Sequence, residues 1–221
     1  MGQRIVVLGG SFAGLAAVTE LRRLLPSAHE IVLVSESEKF LFHPSLIWVP
    51  FGERTGDDIS FDLKPVLEKL GVTFVHAHIS KLRLKDSVVD TSKGPQPFDL
   101  LVVASGAKPK WDAVPGLGPA ANTHSIWTLD DAQRAGAAYE RLLESTGPVL
   151  VGAVQGASNF SVAYEFALNL ATNLQKHGPK GWRQQTFITP EPYVGHLGLG
   201  VAGATSEKIE RLLLDHAIDP S

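Results

Sequence analysis

A short glycine-rich segment between a strand pattern and a helix pattern constrains the fold more than any other feature of the sequence. Residues 5–8 form an uninterrupted β-branched and leucine run, typical of a strand buried on both faces of a parallel sheet. Residues 9–14, GGSFAG, follow it, and apolar residues then recur at helical spacing. A second buried strand pattern covers residues 31–34. Together these patterns predict a βαβ unit of the size that binds nucleotides.

The glycine segment predicts a pyrophosphate site. Backbone N–H groups at close range and the positive end of a helix dipole bind phosphate, and large side chains at the turn would hold it away. Gly9 suits the tight turn and Gly14 suits close helix–strand packing, whereas Ser11 replaces the central glycine of GxGxxG. Glu36, just past the second strand, is placed to accept a ribose hydroxyl, with Ser35 as the competing candidate. A glycine turn without a ligand is the alternative.

The same order of patterns recurs in the second half of the chain. A strand pattern at residues 149–151 leads into residues 152–157, GAVQGA, and then into a helix pattern. We therefore predict an α/β fold with two Rossmann-like dinucleotide-binding folds, the chain ending within the second. The expected domains are residues 1–111, a connecting segment and helix at 112–146, and residues 147–221. In the first domain we expect a strand over residues 72–79 and a β-hairpin over residues 82–89 with Lys85 at its turn, and the TxxD spacing of Thr128 and Asp131 predicts a capping box at the start of the connecting helix. The second glycine segment is a weaker match, so an NAD(P) site and a vestigial turn both remain open.

Residues 40–51, FLFHPSLIWVPF, are too broken by proline for a helix and too apolar for an ordinary surface loop. Two interpretations fit. The segment packs into a core between domains, or it forms a wall for an aromatic cofactor or a quinone-like substrate.

Composition excludes several classes of protein. Twenty Lys and Arg against 23 Asp and Glu give a net charge of −3 without blocks of like charge, so nucleic acid is not an expected partner. The 221 residues include no cysteine, which excludes disulfides, iron–sulfur ligation and thiol nucleophiles. Any redox chemistry is therefore expected to belong to a bound cofactor. Neither a secretory signal nor a membrane-spanning run is evident, so we expect a cytoplasmic protein, with peripheral membrane contact left open.

Two further groups of residues carry weaker signals. His76 and His78 could place both rings on one face of a strand, but no carboxylate pattern accompanies them in the sequence, and we predict no metal site. Glu165 lies between Tyr164 and Phe166 in an apolar helix pattern. It is either an exposed helical residue or a buried carboxylate that could shuttle protons.

Five collinear segments together resemble the sulfide:quinone oxidoreductases and their kin, the flavocytochrome c sulfide dehydrogenase flavoproteins and the type II NADH dehydrogenases. The segments are residues 6–14 (VVLGGSFAG), 38–46 (EKFLFHPSL), 99–109 (DLLVVASGAKP), 151–167 (VGAVQGASNFSVAYEFA) and 187–198 (FITPEPYVGHLG). The resemblance extends over essentially the whole chain.

The resemblance implies a flavoprotein that binds FAD in its first fold. The residues that it assigns to the cofactor are Gly9, Gly10, Ser11, Phe12, Ala13 and Gly14 for the pyrophosphate, Ser35 and Glu36 for the ribose, Ala77 and His78 for the adenine, Ala104, Ser105 and Gly106 along the cofactor, and Pro44 near the isoalloxazine. Glu165 matches a carboxylate near the flavin in the wider family, and His196 matches the HLG segment. Both are therefore candidate catalytic residues.

The chain also departs from that family. Asn159 stands where sulfide-oxidising members carry a redox cysteine, and Trp127 where another cysteine commonly falls. An amide and an indole cannot attack sulfur or hold a persulfide. Family members are about twice as long, and the additional half is expected to complete the FAD fold and to carry the membrane and quinone contacts.

The expected function is that of an FAD-dependent oxidoreductase resembling sulfide:quinone oxidoreductase, which passes electrons through flavin to a quinone-like acceptor. One alternative is a truncated or cysteine-less pseudoenzyme, a nucleotide-binding module that needs a complementing half-chain or forms a homo-oligomer. Another is an NAD(P)H-dependent flavin dehydrogenase.

Overall fold

The computed structural model describes residues 2–121, 123–145, 147–157, 159–179, 185–197 and 204–220. The chain divides into two compact units. The first comprises Met1–His43 and Gly56–Ala113, and the second comprises Pro44–Thr55 and Val114–Ser221. The domain boundaries expected at residues 111 and 146 stay predictions.

The first unit contains nine strands and two α-helices among its described residues. They are β1 (Arg4–Leu8), α1 (Phe12–Leu24), β2 (Glu30–Ser35), β3 (Lys39–Leu41), β4 (Ser60–Asp62), α2 (Leu63–Lys69), β5 (Thr73–His76), β6 (Ile79–Arg83), β7 (Val88–Thr91), β8 (Gly94–Pro97) and β9 (Leu100–Val103).

A four-stranded parallel sheet in the order β5-β2-β1-β9 organises this unit. The central strand β1 pairs with β2 on one side and β9 on the other, with Val6 opposite both Val32 and Leu101. Both predicted buried runs are confirmed, because residues 5–8 and 31–34 are each at most 2% exposed. Apolar burial on both faces of a parallel sheet stabilises the centre of the unit.

The connection between β5 and β9 is an antiparallel meander, β6-β7-β8. The hairpin predicted around Lys85 is confirmed, and a 3-10 turn lies at its tip. The strand predicted over residues 72–79 was too long, because β5 ends at His76 and Ile79 begins a different sheet. Strand β8 was not predicted, because its prolines are typical of loops; it is an edge strand, where proline is tolerated.

The proline-broken segment is a 3-10 helix over His43–Phe51, so the prediction that it is not helical was wrong. Proline is tolerated in the first turn of a helix, where the backbone N–H has no partner, and Pro44 occupies that turn. Leu46 and Ile47 are buried. The ring of Phe51 lies 5.2 Å from that of Tyr139, so the segment packs within the second unit.

The second unit contains a three-stranded parallel sheet in the order β10-β11-β12. Its elements are α3 (Leu129–Leu143), β10 (Val149–Gly152), α4 (Ser161–His177), β11 (Gln185–Ile188), α5 (Ala204–Asp215) and β12 (Ile218–Pro220). The side chain of Phe187 is fully buried at the centre of this unit. The predicted α/β class with parallel strands is confirmed, whereas β12 was not predicted.

Helix α3 begins at the capping box predicted from the TxxD spacing. The amide of Asp131 donates to Thr128 Oγ1 at 3.0 Å, and the amide of Thr128 donates to Asp131 Oδ2 at 3.1 Å. These bonds satisfy two backbone donors at the helix start. Within the described ranges, no helix combines the length and apolarity that crossing a bilayer requires.

Candidate functional site

Backbone contacts require glycine at two positions where β1 leads into α1. Gly9 has φ +107°, and a Cβ there would lie 2.3 Å from the carbonyl oxygen of Ala104. A Cβ on Gly14 would lie 1.8 Å from the carbonyl oxygen of Gly9, and one on Gly10 would lie 2.6 Å from Leu63 Cδ1. The absence of side chains therefore lets helix α1 begin directly against the end of its strand.

This loop lies at the point where the strand order of the first sheet reverses. From β1 the chain continues to β2 on one side, and β9 is added later on the other side. In open α/β sheets, ligands bind in the crevice outside the carboxyl ends of such strands. Ala104 continues the sheet by donating to Leu8 O at 2.8 Å, and Ser105 and Gly106 after it are exposed. Three of the predicted cofactor residues therefore follow the strand beside the glycine loop.

The first turn of α1 suits an anion. Ser11 is the N-cap residue, yet its side chain makes no capping hydrogen bond, and the first turn contains no acidic residue. The first backbone N–H groups of a helix have no intrahelical partner, and the helix dipole places partial positive charge there. Pyrophosphate would satisfy both features.

The two candidates for the ribose site differ in exposure. Ser35 is 5% exposed; its Oγ accepts from the amide of Ser37 at 3.2 Å and its carbonyl accepts from the amide of Ala77 at 2.9 Å. Glu36 is exposed at the end of β2, and its Oε1 lies 3.0 Å from His78 Nδ1. Of the two candidates, Glu36 is therefore the more exposed, and the ribose contact stays a prediction.

The two histidines have carboxylate partners that the sequence did not reveal. Glu38 Oε1 lies 3.0 Å from His76 Nδ1, in addition to the Glu36–His78 pair. The pairs form because β2 and β5 are adjacent and Ser35 is opposite His76. The matching Glu-x-Glu and His-x-His spacings were the signal available beforehand. No group of three or more candidate metal ligands was found in the described part of the chain.

The predicted adenine segment is well ordered by hydrogen bonds. Ala77 is buried, and the amide of His78 donates to Ser92 Oγ at 3.0 Å. The carbonyl of His78 accepts from the amide of Ser92 at 2.9 Å. Both main-chain polar groups of His78 are therefore engaged by Ser92, and the contact to adenine stays a prediction.

Aromatic rings lie at the start of α1, where Phe12 contacts other rings that its predicted place in the pyrophosphate loop did not indicate. Its ring is 44% exposed and lies 5.0 Å from Phe40 and 5.6 Å from Phe42. Phe40 in turn stacks on Phe61 at 4.9 Å. The FLF spacing at residues 40–42 was the available signal. Pro44, predicted near the isoalloxazine, is exposed and belongs to the second unit.

The glycine loop of the second unit has a different geometry. A Cβ on Gly152 would lie 2.1 Å from the carbonyl oxygen of Ile188, whereas Gly156 has φ +88° and open space around it. Helix α4 begins only at Ser161. Asn159 Oδ1 accepts from the amide of Ser161 at 3.1 Å and from its hydroxyl at 2.6 Å. The Asn159 side chain thus accepts hydrogen bonds from the first residue of the helix, whereas the N-cap residue, Phe160, makes no side-chain capping bond.

The three remaining site candidates all lie in the second unit. Glu165 is exposed on α4, so the alternative of an exposed helical residue describes it. Trp127 is 50% exposed and immediately precedes the capping box of α3. The ring of His196 packs edge-on against Tyr193 at 5.0 Å, and its amide donates to Tyr193 O at 3.2 Å.

Glu191 follows β11 as Glu36 follows β2, but its carboxylate points into the protein. Its Oε2 accepts from the hydroxyls of Tyr164 at 2.6 Å and Thr189 at 2.7 Å. Its Oε1 accepts from the amide of Leu197. Burial, followed by the hydrogen bond to Glu191, raises the pKa of Tyr164 to about 12. The phenol therefore remains a protonated donor at neutral pH.

Residues 3–177 match the family described as pyridine nucleotide-disulphide oxidoreductase. The chain belongs to this family. The matched residues include the glycine loops of both units.

Sulfide-quinone reductase of Aquifex aeolicus is 36% identical over 220 residues, which is 99% of this chain and 50% of that protein. The X-ray structure of the A. aeolicus sulfide:quinone oxidoreductase superimposes with a TM-score of 0.91, covering 100% of this chain and 51% of that one. Type II NADH:quinone oxidoreductase of Staphylococcus aureus is 32% identical over 108 residues, 47% of this chain and 26% of that protein. The family resemblance predicted from the motifs is confirmed, and the chain spans about half the length of the A. aeolicus relative.

Proposed function

We propose that this chain is the FAD-binding part of a flavin-dependent oxidoreductase resembling sulfide:quinone oxidoreductase, which delivers electrons to a quinone-like acceptor. The observation that carries the proposal is the first glycine loop. Gly9 and Gly14 exclude a Cβ because backbone atoms lie too close, and α1 begins directly after this loop, at the end of β1 between its neighbours β2 and β9. The similarity to the A. aeolicus sulfide-quinone reductase and the S. aureus type II NADH:quinone oxidoreductase supports a quinone as the acceptor.

The donors and acceptors of the site fit a dinucleotide. The backbone N–H groups of residues 12–14 would hold the pyrophosphate, and the Ser11 hydroxyl could add a further bond. The Glu36 carboxylate would accept from the ribose hydroxyls, with His78 orienting it. The exposed Ser105 and Gly106 would lie along the cofactor. Bound FAD would supply the electron transfer, because the side chains of this cysteine-free chain offer no redox couple of their own.

The second unit is proposed as a second dinucleotide-type fold. Its strand-loop-helix order, its parallel sheet and the tight approach of Gly152 to β11 support this. Glu165 and His196 are proposed to act near the flavin in the complete enzyme. That enzyme would include a further half-chain, covalently continuous or separate, which completes the FAD fold and makes any peripheral membrane contact.

A second candidate function is a nucleotide-binding half without sulfide chemistry of its own. It is favoured by Asn159, because the resemblance places a redox cysteine at this position, and in this chain the amide oxygen instead accepts from the backbone and the hydroxyl of Ser161. Under this proposal the chain binds FAD, but it oxidises no sulfide unless a partner half or a homo-oligomer supplies the missing groups. A cytoplasmic location remains part of both proposals.

Reconstitution of the 221-residue chain with FAD tests the proposal. After removal of unbound cofactor we expect a retained flavin absorption band at about 450 nm. Reduction of this flavin by a donor and its reoxidation by a quinone analogue give the activity readout. A chain that is folded by circular dichroism but retains no flavin contradicts both candidate functions. Flavin binding without turnover favours the second.

A matched pair of variants tests the ribose site. Glu36→Gln removes the proposed acceptor and should weaken FAD binding by roughly 10-fold or more, since hydrogen bonds to charged groups contribute about 1.5–3 kcal/mol. Glu38→Gln makes the same chemical change two residues further on, at the carboxylate paired with His76. It should leave the affinity unchanged. Equal losses in both variants would show that the effect is one of general charge.

A further inference from the structure

Segment 189–197 of the second unit is held by one carboxylate. Glu191 accepts hydrogen bonds from Tyr164 on α4, from Thr189 at the start of the segment and from the amide of Leu197 at its end. A carboxylate offers about four lone-pair directions, and three are used here. Little acceptor capacity remains for a ligand hydroxyl.

Tyr164 joins the segment to α4 a second time. Its hydroxyl oxygen accepts from the amide of Gly195 at 2.8 Å while its proton is donated to Glu191. The ring is 6% exposed and packs against Phe187 with centroids 4.3 Å apart. Because the ring is buried in the core, the phenol holds both Glu191 and Gly195 in fixed positions.

Helix α5 holds the other side of the segment. The hydroxyl of Ser206 donates to the carbonyl of Val194 at 2.6 Å. A Cβ on Gly195 would lie 3.1 Å from Ile209 Cδ1, so the backbone passes close to that helix. Hydrogen bonds thus join the segment to both α4 and α5, and Glu191 accepts three of the hydrogen bonds that hold it.

His196 lies within this fastened segment, between two residues of left-handed backbone conformation. Gly195 has φ +80° and Leu197 has φ +51°. Leucine adopts positive φ at an energetic cost, so the hydrogen bond from its amide to Glu191 helps to hold an unfavourable conformation. Loss of that bond would let Leu197 relax and would turn the neighbouring imidazole.

We infer that Glu191 is a positioning residue, which fixes segment 189–197 and thereby His196, and that it is not the ribose acceptor that a dinucleotide fold would carry after this strand. The inference rests on the proposed function only for what His196 does in the complete enzyme. The competing assignment, a carboxylate that binds the ribose of a pyridine dinucleotide, is an outcome of the test.

The test compares Glu191→Gln and Tyr164→Phe in the 221-residue chain by NMR of the histidine rings, well below the melting temperature. The His196 signals are assigned by their loss in His196→Gln. We expect them to move in both variants, while those of His216, which bonds to Leu212 O at the end of α5, stay in place. A merely destabilised unit would not move one histidine selectively. The affinity for NADH, followed by its fluorescence, should not differ between wild type and Glu191→Gln.

Glu140→Gln, at an exposed glutamate of α3, is the matched control and should change neither readout. If Glu191→Gln does not fold, Thr189→Ala removes one of the three donors, keeps the carboxylate and should move the His196 signals by less. His196 signals that stay in place in the folded variants overturn the inference, and a Glu191→Gln chain with weakened NADH binding then establishes the ribose role. Retained flavin is measured separately on the same samples, so a chain that fails to bind FAD but shows the His196 shift contradicts the proposed function alone.

Discussion

The two units contain the same sequence of strand, glycine loop, helix and strand with a terminal glutamate, yet they use it differently. In the first unit, helix α1 starts directly after residues 9–11, and Glu36 is exposed just after β2. In the second, α4 starts well beyond its strand, Asn159 satisfies the helix start, and Glu191 points inward. The carboxylate of the first unit is exposed with His78 as its partner, whereas that of the second accepts hydrogen bonds from Tyr164, Thr189 and Leu197.

This difference shows that a strand-glycine-helix order establishes topology but not ligand binding. Binding depends on which polar groups the protein leaves unsatisfied, because buried polar groups that already have protein partners gain little from a ligand. The first unit therefore carries the cofactor proposal. The second unit carries a proposal about the position of one loop.

The largest expected effect comes from substituting alanine for a glycine of the first loop, compared with the same substitution in the second loop. Gly14→Ala places a Cβ 1.8 Å from a backbone oxygen, so we expect the free energy of unfolding to fall by about 3 kcal/mol or more. We also expect the variant to lose FAD retention. Gly156→Ala introduces only the strain of a positive φ, about 1–2 kcal/mol, in open space. Thermal unfolding and flavin retention measure both. FAD retention by Gly14→Ala at wild-type level would contradict the role of close packing.

The next effect is a pH dependence in the second unit. The folded-state pKa of Tyr164 is raised to about 12 from an ordinary value of 10.0, so the unfolded chain ionises first as the pH rises. The stabilisation is complete below pH 10 and is lost as the pH approaches 12. Wild type should therefore lose stability relative to Tyr164→Phe by up to roughly 1.4 kcal/mol per pH unit in this window. Parallel denaturant titrations at pH 9 and pH 11 should show the gap narrowing, and a constant gap would contradict the buried phenol.

A smaller effect concerns the hydrogen bonds between Asn159 and the first residue of α4. Asn159→Ala should cost about 1 kcal/mol, because the amide of Ser161 loses its acceptor, and Asn159→Asp should restore most of this stability. Asn159→Cys, which introduces a thiol here, should be as unstable as the alanine variant. Chemical denaturation gives the free energies. An alanine variant of wild-type stability would remove the structural explanation for this residue.

The smallest effect is expected at Ser11. Because its hydroxyl makes no capping bond, Ser11→Ala should leave the melting temperature unchanged. The loss of one neutral hydrogen bond to phosphate should weaken FAD binding by roughly 2- to 10-fold. Flavin fluorescence quenching measures the affinity. A loss of stability with unchanged affinity would assign the hydroxyl to the fold instead.

Local patterns predicted the elements whose structure is determined by nearby residues. The run at residues 5–8 became a buried strand, the TxxD spacing at Thr128 became a capping box, and the recurring apolar residues became α1 and α4. Each depends on periodicity or on contacts within one turn. The 3-10 helix at His43–Phe51 was missed because its apolar side chains are stabilised by distant partners such as Tyr139.

The site was predictable to a similar extent. The roles proposed for Gly9 and Gly14 followed from the geometry that a phosphate demands, and that of Glu36 from its place just past the second strand; the structure gives both glycines a steric reason. The pairing of Glu36 with His78 depends on which strands are neighbours, and a single sequence does not state this. The inward turn of Glu191 depends on Tyr164 in another element. Whether the residues of a motif can bind a ligand therefore depends on partners that lie far away in the sequence.

The most direct test of the difference between the two units is a set of FAD titrations on wild type, Glu36→Gln and Glu191→Gln. We predict saturable binding by wild type, binding weakened roughly 10-fold or more in Glu36→Gln, and wild-type affinity in Glu191→Gln. Equal weakening in both variants, or the absence of FAD binding by the folded wild-type chain, would contradict this prediction.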